Sequence, residues 1–285
     1  MPHPEAASPL STQRPSLSFA RLARLYLEFA RVGFVNTLAY RLRYYTGVVT
    51  YFIYVSVYYF IWKAIYEHSA SIEGFDFAHL LTYIGVGWII RSFYFNNIDQ
   101  DLAYQVIEGR LAMDLIKPVN IQMMHVARAA GESVFRLALL TVPTALVLFL
   151  VYPLRLPTSV GNAGAFLVSV SLSFLIVAAI NFAVGTFALR LQSILGLLRA
   201  KFFLLELFSG LLLPMTFFPH SVQKILDLLP FQYISYVPML IYLGKLHGGE
   251  VARAIAIQIF WVGILMAIGH GLWRWSTRKL IIQGG

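Results

Sequence analysis

Charge is what this chain has least of. Only 12% of its 285 residues are Asp, Glu, Lys or Arg, where a soluble domain carries about 25%. That leaves too little polar surface for a fold that lives in water. Cysteine is missing altogether, which excludes a disulfide framework, a thiolate metal site and a cysteine nucleophile. A Gly-x-x-x-x-Gly-Lys-Ser/Thr phosphate cradle is also missing. The one Gly-Lys pair, Gly244-Lys245, is followed by Leu246, so ATP is not bound by this chain through such a loop. His79, His125, His247 and His270 are scattered without metal-ligand spacing, which argues against a metal centre. Residues 1–20 lack an apolar core of signal-peptide length and contain Pro2, Pro4, Pro9 and Pro15. Residues 1–17 therefore read as a disordered tail rather than a cleaved leader.

Apolar residues are abundant, at 59% of the chain with a mean hydropathy of +0.71. A helix needs about 20 such residues to cross roughly 30 Å of hydrocarbon. Six stretches qualify: 44–66, 78–98, 133–153, 163–188, 202–218 and 252–274. The expected fold is an all-α integral membrane protein with six spans, in one domain over 18–285. Short loops between several spans predict antiparallel neighbours. The net charge of +9 could suggest a nucleic-acid partner, but the basic residues flank the spans on one side. Arg21, Arg24, Arg31, Arg41, Arg43, Arg110, Lys117, Arg190, Arg199, Lys201 and Arg274 all fall there, whereas the other side has only Lys63, Arg155, Lys224, Lys245 and Arg253. The positive-inside rule makes that first side cytoplasmic and puts both termini there. Anionic membrane lipid, not nucleic acid, is the expected polyanion.

Three connecting stretches have patterns of their own. Residues 18–40 alternate Leu22, Leu25, Phe29, Val32 and Leu38 with Arg21, Arg24, Glu28 and Arg31 at near-helical spacing. That fits an interfacial helix, apolar side toward lipid, or else a plain cytoplasmic extension of the first span. Residues 98–132 form the longest cytoplasmic connection. They predict an amphipathic helix, a break near Gly109 and a turn closed by Pro118, the kind of polar element that docks a partner protein. Between spans five and six, Pro214, Pro219, Pro230 and Pro238 punctuate apolar runs too short to cross. Short re-entrant helices capping the outer end of a pathway are expected, since irregular backbone at membrane depth must lie against protein or a water-filled cavity.

The run Gly109-Arg110-Leu111-Ala112-Met113-Asp114-Leu115-Ile116-Lys117-Pro118-Val119-Asn120 resembles the cytoplasmic loop of bacterial ABC-2-type permeases. Its distance from the second span and the proline-rich return before the sixth resemble that group as well, over essentially residues 20–285. Asp114 stands further from Leu111 than the family's acidic position does. The resemblance implies the permease subunit of an ABC exporter in a bacterial inner membrane. It also implies a second permease, identical or related, and separate ATPase subunits that would bring ATP and Mg; no cofactor is expected in this chain. The ATPase-coupling residues would be Glu108, Gly109, Arg110, Leu111, Asp114, Leu115, Ile116, Lys117 and Pro118. The prolines at 214, 219, 230 and 238 would belong to an outer gate.

Within the spans, Tyr51, Tyr54 and Tyr58 share a helical face with Tyr44 and Trp62. They read either as an aromatic wall for an amphiphilic or cationic substrate or as anchors and packing. Arg91 and Glu206 are charges inside spans, costly unless paired or able to snorkel. For Arg91 snorkelling is an alternative; Glu206 calls for Arg91 or Arg136 as partner. Asn181, eight residues from Ser173 on one helix face, reads as a pathway residue or as an interhelical hydrogen-bonding group. Beside the export permease stand a channel or ion-coupled carrier and a polytopic membrane enzyme. No internal repeat supports the carrier, and no convergence of acids, bases or ligands at one depth supports the enzyme.

Overall fold

The computed structural model describes residues 19–38, 42–191 and 193–278. The tail expected over 1–17, and residues 18, 39 and 40 of the expected interfacial helix, lie outside them. Among the described residues the fold is helical throughout, without a strand, and only an isolated bridge joins Ile72 to Phe75.

Four helices are long and apolar enough to cross a membrane among the described residues. They are α2 (Leu42–Tyr66), the continuous helix Ile121–Val151, α8 (Val160–Gly185, prolonged by a 3-10 turn to Leu189) and α12 (Gly249–Thr277). The helix Ile121–Val151 consists of α6 (Ile121–Arg136), a π-helical turn (Leu137–Thr141) and α7 (Val142–Val151). The π turn has a visible cause. Pro143 has no N–H to give and would crowd the carbonyl four residues back. Widening the turn, with Val142 bonding back to Leu137, absorbs that. Thr141 then meets Ser92 hydroxyl to hydroxyl at 2.7 Å.

α3 (Phe77–Tyr94) runs through the middle of the bundle and is capped by Asp76, which accepts from the His79 amide. Fourteen of its 18 residues are buried. Protein surrounds it on nearly every side: Trp88 stacks on Tyr54 of α2 at 4.7 Å, and the Tyr83 hydroxyl donates to the Gly210 carbonyl. α8 and α12 pack side by side in parallel, joined at Ser169 and Gln258 near one end and at Phe182 and Trp273 near the other.

Two expected spans need correction. The third does not begin at 133: its helix starts at Ile121, capped by Asn120, so the connection read as 98–132 ends twelve residues sooner. Gln122, His125, Arg128 and Glu132 had disguised it, yet neighbouring helices cover this segment: Gln122 meets Met266 of α12, His125 meets Phe182 of α8, and α1 (Phe19–Leu38) crosses over it with Phe29 beneath Arg128. Glycines allow the close crossing. A Cβ on Gly33 would lie 2.1 Å from the Arg128 carbonyl oxygen, and one on Gly131 1.8 Å from that of Ala30. The stretch expected as a fifth span, 202–218, is not one helix. Its helical part belongs to α9, Leu195–Phe208, and the chain then turns at Gly210, where φ is +82° and a Cβ would meet Tyr236 at 2.7 Å. The apolar run continues past 208, but the helix does not.

Beyond that turn come a 3-10 turn (Met215–Phe217), α10 (His220–Leu226), a second 3-10 turn (Phe231–Tyr233) and α11 (Tyr236–Tyr242). The segment is sunk into the bundle. The Tyr233 carbonyl accepts from Ser173 of α8 at 3.1 Å and Gln258 of α12 at 2.8 Å, and the Tyr236 amide donates to Ser209. Pro214, Pro230 and Pro238 are buried, while Pro219 is exposed where α10 begins. At the same end Arg155 bonds to His79 and Asp76, and Lys245 donates to the Gly74 carbonyl. The opposite end carries α4 (Ile98–Ile107), α5 (Leu111–Leu115) and the start of α9.

Candidate functional site

Two charged groups on α9 and two on α3 and α4 meet across a crevice. Arg91 is 9% exposed, too enclosed to snorkel. Its guanidinium pairs with Glu206 and donates to the Tyr51 hydroxyl at 3.0 Å. Four rings box it in, Phe95 at 4.9 Å, Trp88 at 5.3 Å, Phe202 at 5.5 Å and Tyr51 at 6.0 Å. Cation–π attraction strengthens as water is excluded, so the box supports the charge as well as enclosing it. Of the two arginines open to Glu206, then, Arg91 is the partner; Arg136 lies instead 3.7 Å from Glu132. The crevice beside the pair, about 30 Å³, is bounded by Tyr94, Asn181, Lys201, Leu205 and Ser209 among others.

Closer to the α5 end is a second pair that sequence reasoning missed. Lys201 donates to Asp99 at 2.5 Å and to the Asn181 side-chain oxygen at 2.7 Å, and Asn181 in turn donates to the Asn96 carbonyl at 2.7 Å. Asp99 is 1% exposed. The network fastens the first turn of α4, the last turns of α8 and the middle of α9 to one another. A signal for it exists in the sequence. Arg91 then Asp99 on one segment, Lys201 then Glu206 on another, are complementary in antiparallel order.

The tyrosines separate. Tyr51 serves Arg91, Tyr54 stacks on Trp88 with its edge exposed, and Tyr58 is half-buried further along α2. The ring faces nearest the crevice are thus occupied by the protein's own cation.

The turn after α4 is anchored from within. Gly109 has a φ of +70° and starts it; Asn120 caps the next helix. Asp114 points inward, accepting from Lys117 at 2.5 Å and Arg128 at 3.2 Å, with both cations over the Phe29 ring of α1. Burial pushes the Asp114 carboxyl up, but its bonds to Lys117 and Arg128 outweigh that and hold it below its ordinary value. Tyr26 of α1 accepts from the Asn120 amide. Leu111 is buried and Leu115 half-buried. What faces outward is Ile107, Met113, Ile116 and Pro118, with the exposed Glu108–Arg110 pair between them. No group of three potential metal ligands occurs among the described residues.

A family model described as ABC-2 family transporter protein matches residues 52–284. The chain belongs to the ABC-2 transporter family. It is a multi-pass membrane transport permease. No curated protein matches it. Within the permease, the family match covers the crevice, the anchored turn and the sunken proline-rich segment, and leaves α1 outside.

Proposed function

We propose that this permease is the membrane-spanning subunit of an ATP-driven exporter, working in a bacterial inner membrane with both termini cytoplasmic. It crosses six times, through α2, α3, the helix Ile121–Val151, α8, α9 and α12. The 18 residues of α3 extend about 27 Å at 1.5 Å per residue, close to the hydrocarbon thickness, and a helix enclosed by protein needs no apolar face toward lipid. α9, at 14 residues, is completed by the backbone that follows Gly210, which lies against protein as irregular backbone at depth must. The segment of Pro214, Pro219, Pro230 and Pro238 closes the outer end.

One observation carries the reading. The outward apolar edge of the 107–118 turn is continuous, through α4, with the Asp99–Lys201 pair and the Arg91–Glu206 crevice. A push on the turn therefore reaches α9. ATPase subunits, which usually accompany permeases of this family, would supply that push and bring ATP and Mg. A second permease, identical or related, would complete the pathway for an amphiphilic substrate.

Co-expression with ABC ATPase subunits from the same organism tests this. The expected product is a complex of two permeases and two ATPases that hydrolyses ATP, while the purified permease alone hydrolyses none. Failure of any ATPase to associate, with ion conduction by the permease alone, would instead make it a channel or ion-coupled carrier.

A further inference from the structure

At the α5 end, between α4 and α9, lies a cavity of about 590 Å³, within the range of roughly 300–1,000 Å³ typical of small-molecule sites. Its walls are predominantly apolar, with Phe95, Tyr104, Ile107, Leu198 and Phe202 forming much of the surface. The charged groups on its lining are Arg199 and Lys201, and no carboxylate is among them. Lys201 is already neutralised by Asp99. Arg199 is exposed and makes no hydrogen bond or ion pair among the described residues. The cavity shares Phe95, Lys201 and Phe202 with the smaller crevice at Arg91 and Glu206, so a molecule held here is one wall away from it.

We propose that this cavity binds an amphiphile with an anionic headgroup, drawn from the cytoplasmic leaflet, its chain against the Phe95–Leu198–Phe202 wall and its headgroup on Arg199. An apolar chain alone would leave the one uncommitted cation without a partner. A cationic amphiphile would meet Arg199 with like charge and find no carboxylate on the lining. The anion satisfies both, because a guanidinium holds phosphate or carboxylate through paired N–H donors. Only the leaflet depends on the export reading; the binding chemistry stands apart from it.

The test uses the full chain in phosphatidylcholine nanodiscs, with a photoreactive alkyl phosphate and a trimethylammonium probe of equal chain length. The phosphate probe should label peptides of α4 and α9, and the ammonium probe about tenfold less, the worth of one charge-assisted hydrogen bond. Arg199→Gln should remove that preference while leaving some labelling. Gln100→Trp, which fills the cavity from an exposed position, should block both probes. Equal labelling by the two probes, labelling centred elsewhere, or an unchanged preference in Arg199→Gln would overturn the proposal. Association with the ATPase, measured on the same variants, reports separately on the export reading.

Discussion

Arg91 and Glu206 would leave different things behind. Removing one member of a buried ion pair costs about 3–5 kcal/mol, chiefly because the other charge is stranded. Here the stranded groups are not equivalent. Without Glu206, Arg91 still has Tyr51 and the faces of Trp88, Phe95 and Phe202. Without Arg91, the Glu206 carboxylate faces the same rings, whose negative π-faces repel it. Arg91→Leu should therefore lower thermal stability in detergent more than Glu206→Leu, and the double variant should cost less than the two added together. Equal and additive losses would show that the pair is not an energetic unit. Asp114 gives a pH prediction. Its folded pKa lies below the unfolded one, so the stabilisation it provides is complete above about pH 4 and fades only as pH falls through the folded value. Hydrogen-exchange protection of α5 should stay flat from pH 5 to 8. Asp114→Asn should lower it evenly across that range, since Lys117 and Arg128 then face no carboxylate.

At the scale of elements, hydropathy made α2, α8 and α12 legible because each shows lipid a long apolar surface, and their ends fall within a few residues of the expected ones. The Gly109 break and the Pro118 turn were legible too, being backbone chemistry written in single residues. The start of α6 was not, because a helix covered by another helix is free to be polar. The end of α9 was not, because Gly210 breaks a run whose hydropathy carries on. The pair Asp99–Lys201 escaped because each partner, taken singly, looked like an ordinary cytoplasmic charge. The α1–α6 crossing rests on two glycines, and this can be tested. Gly131→Ala forces a methyl toward the Ala30 carbonyl, backbone against backbone, so the helices must separate; such overpacking typically costs about 1–3 kcal/mol. In a chain without native cysteine, a Cys pair replacing Phe34 and Phe135, whose rings meet at 5.2 Å across this crossing, reports the spacing after mild oxidation or with short bifunctional reagents. Cross-linking should drop sharply in Gly131→Ala and stay unchanged in Gly196→Ala, where an added Cβ meets nothing.

For the whole molecule, the question is where the ATPase would take hold. The turn has two sides with separate duties. Leu111 and Asp114 belong to the interior and tie the turn to α1 and α6; Ile107, Met113 and Ile116 face away from the protein, at 73%, 65% and 76% exposure. A carboxylate at 116 would stay solvated in the free permease, so Ile116→Asp should leave its unfolding temperature unchanged. In the complex it would be buried in an apolar groove without a partner, at a cost of several kcal/mol, enough to release a modest interface. Leu111→Asp should do the reverse and destabilise the permease itself, because the charge goes into its own core. Leu228→Asp, equally exposed at the opposite end, should alter neither. Pull-down of the ATPase and detergent melting curves, run on all three, separate these outcomes. Retention of the ATPase by Ile116→Asp together with normal ATP-dependent transport would move the coupling surface off this turn, and the 189–201 stretch leading into α9 would be the next place to look.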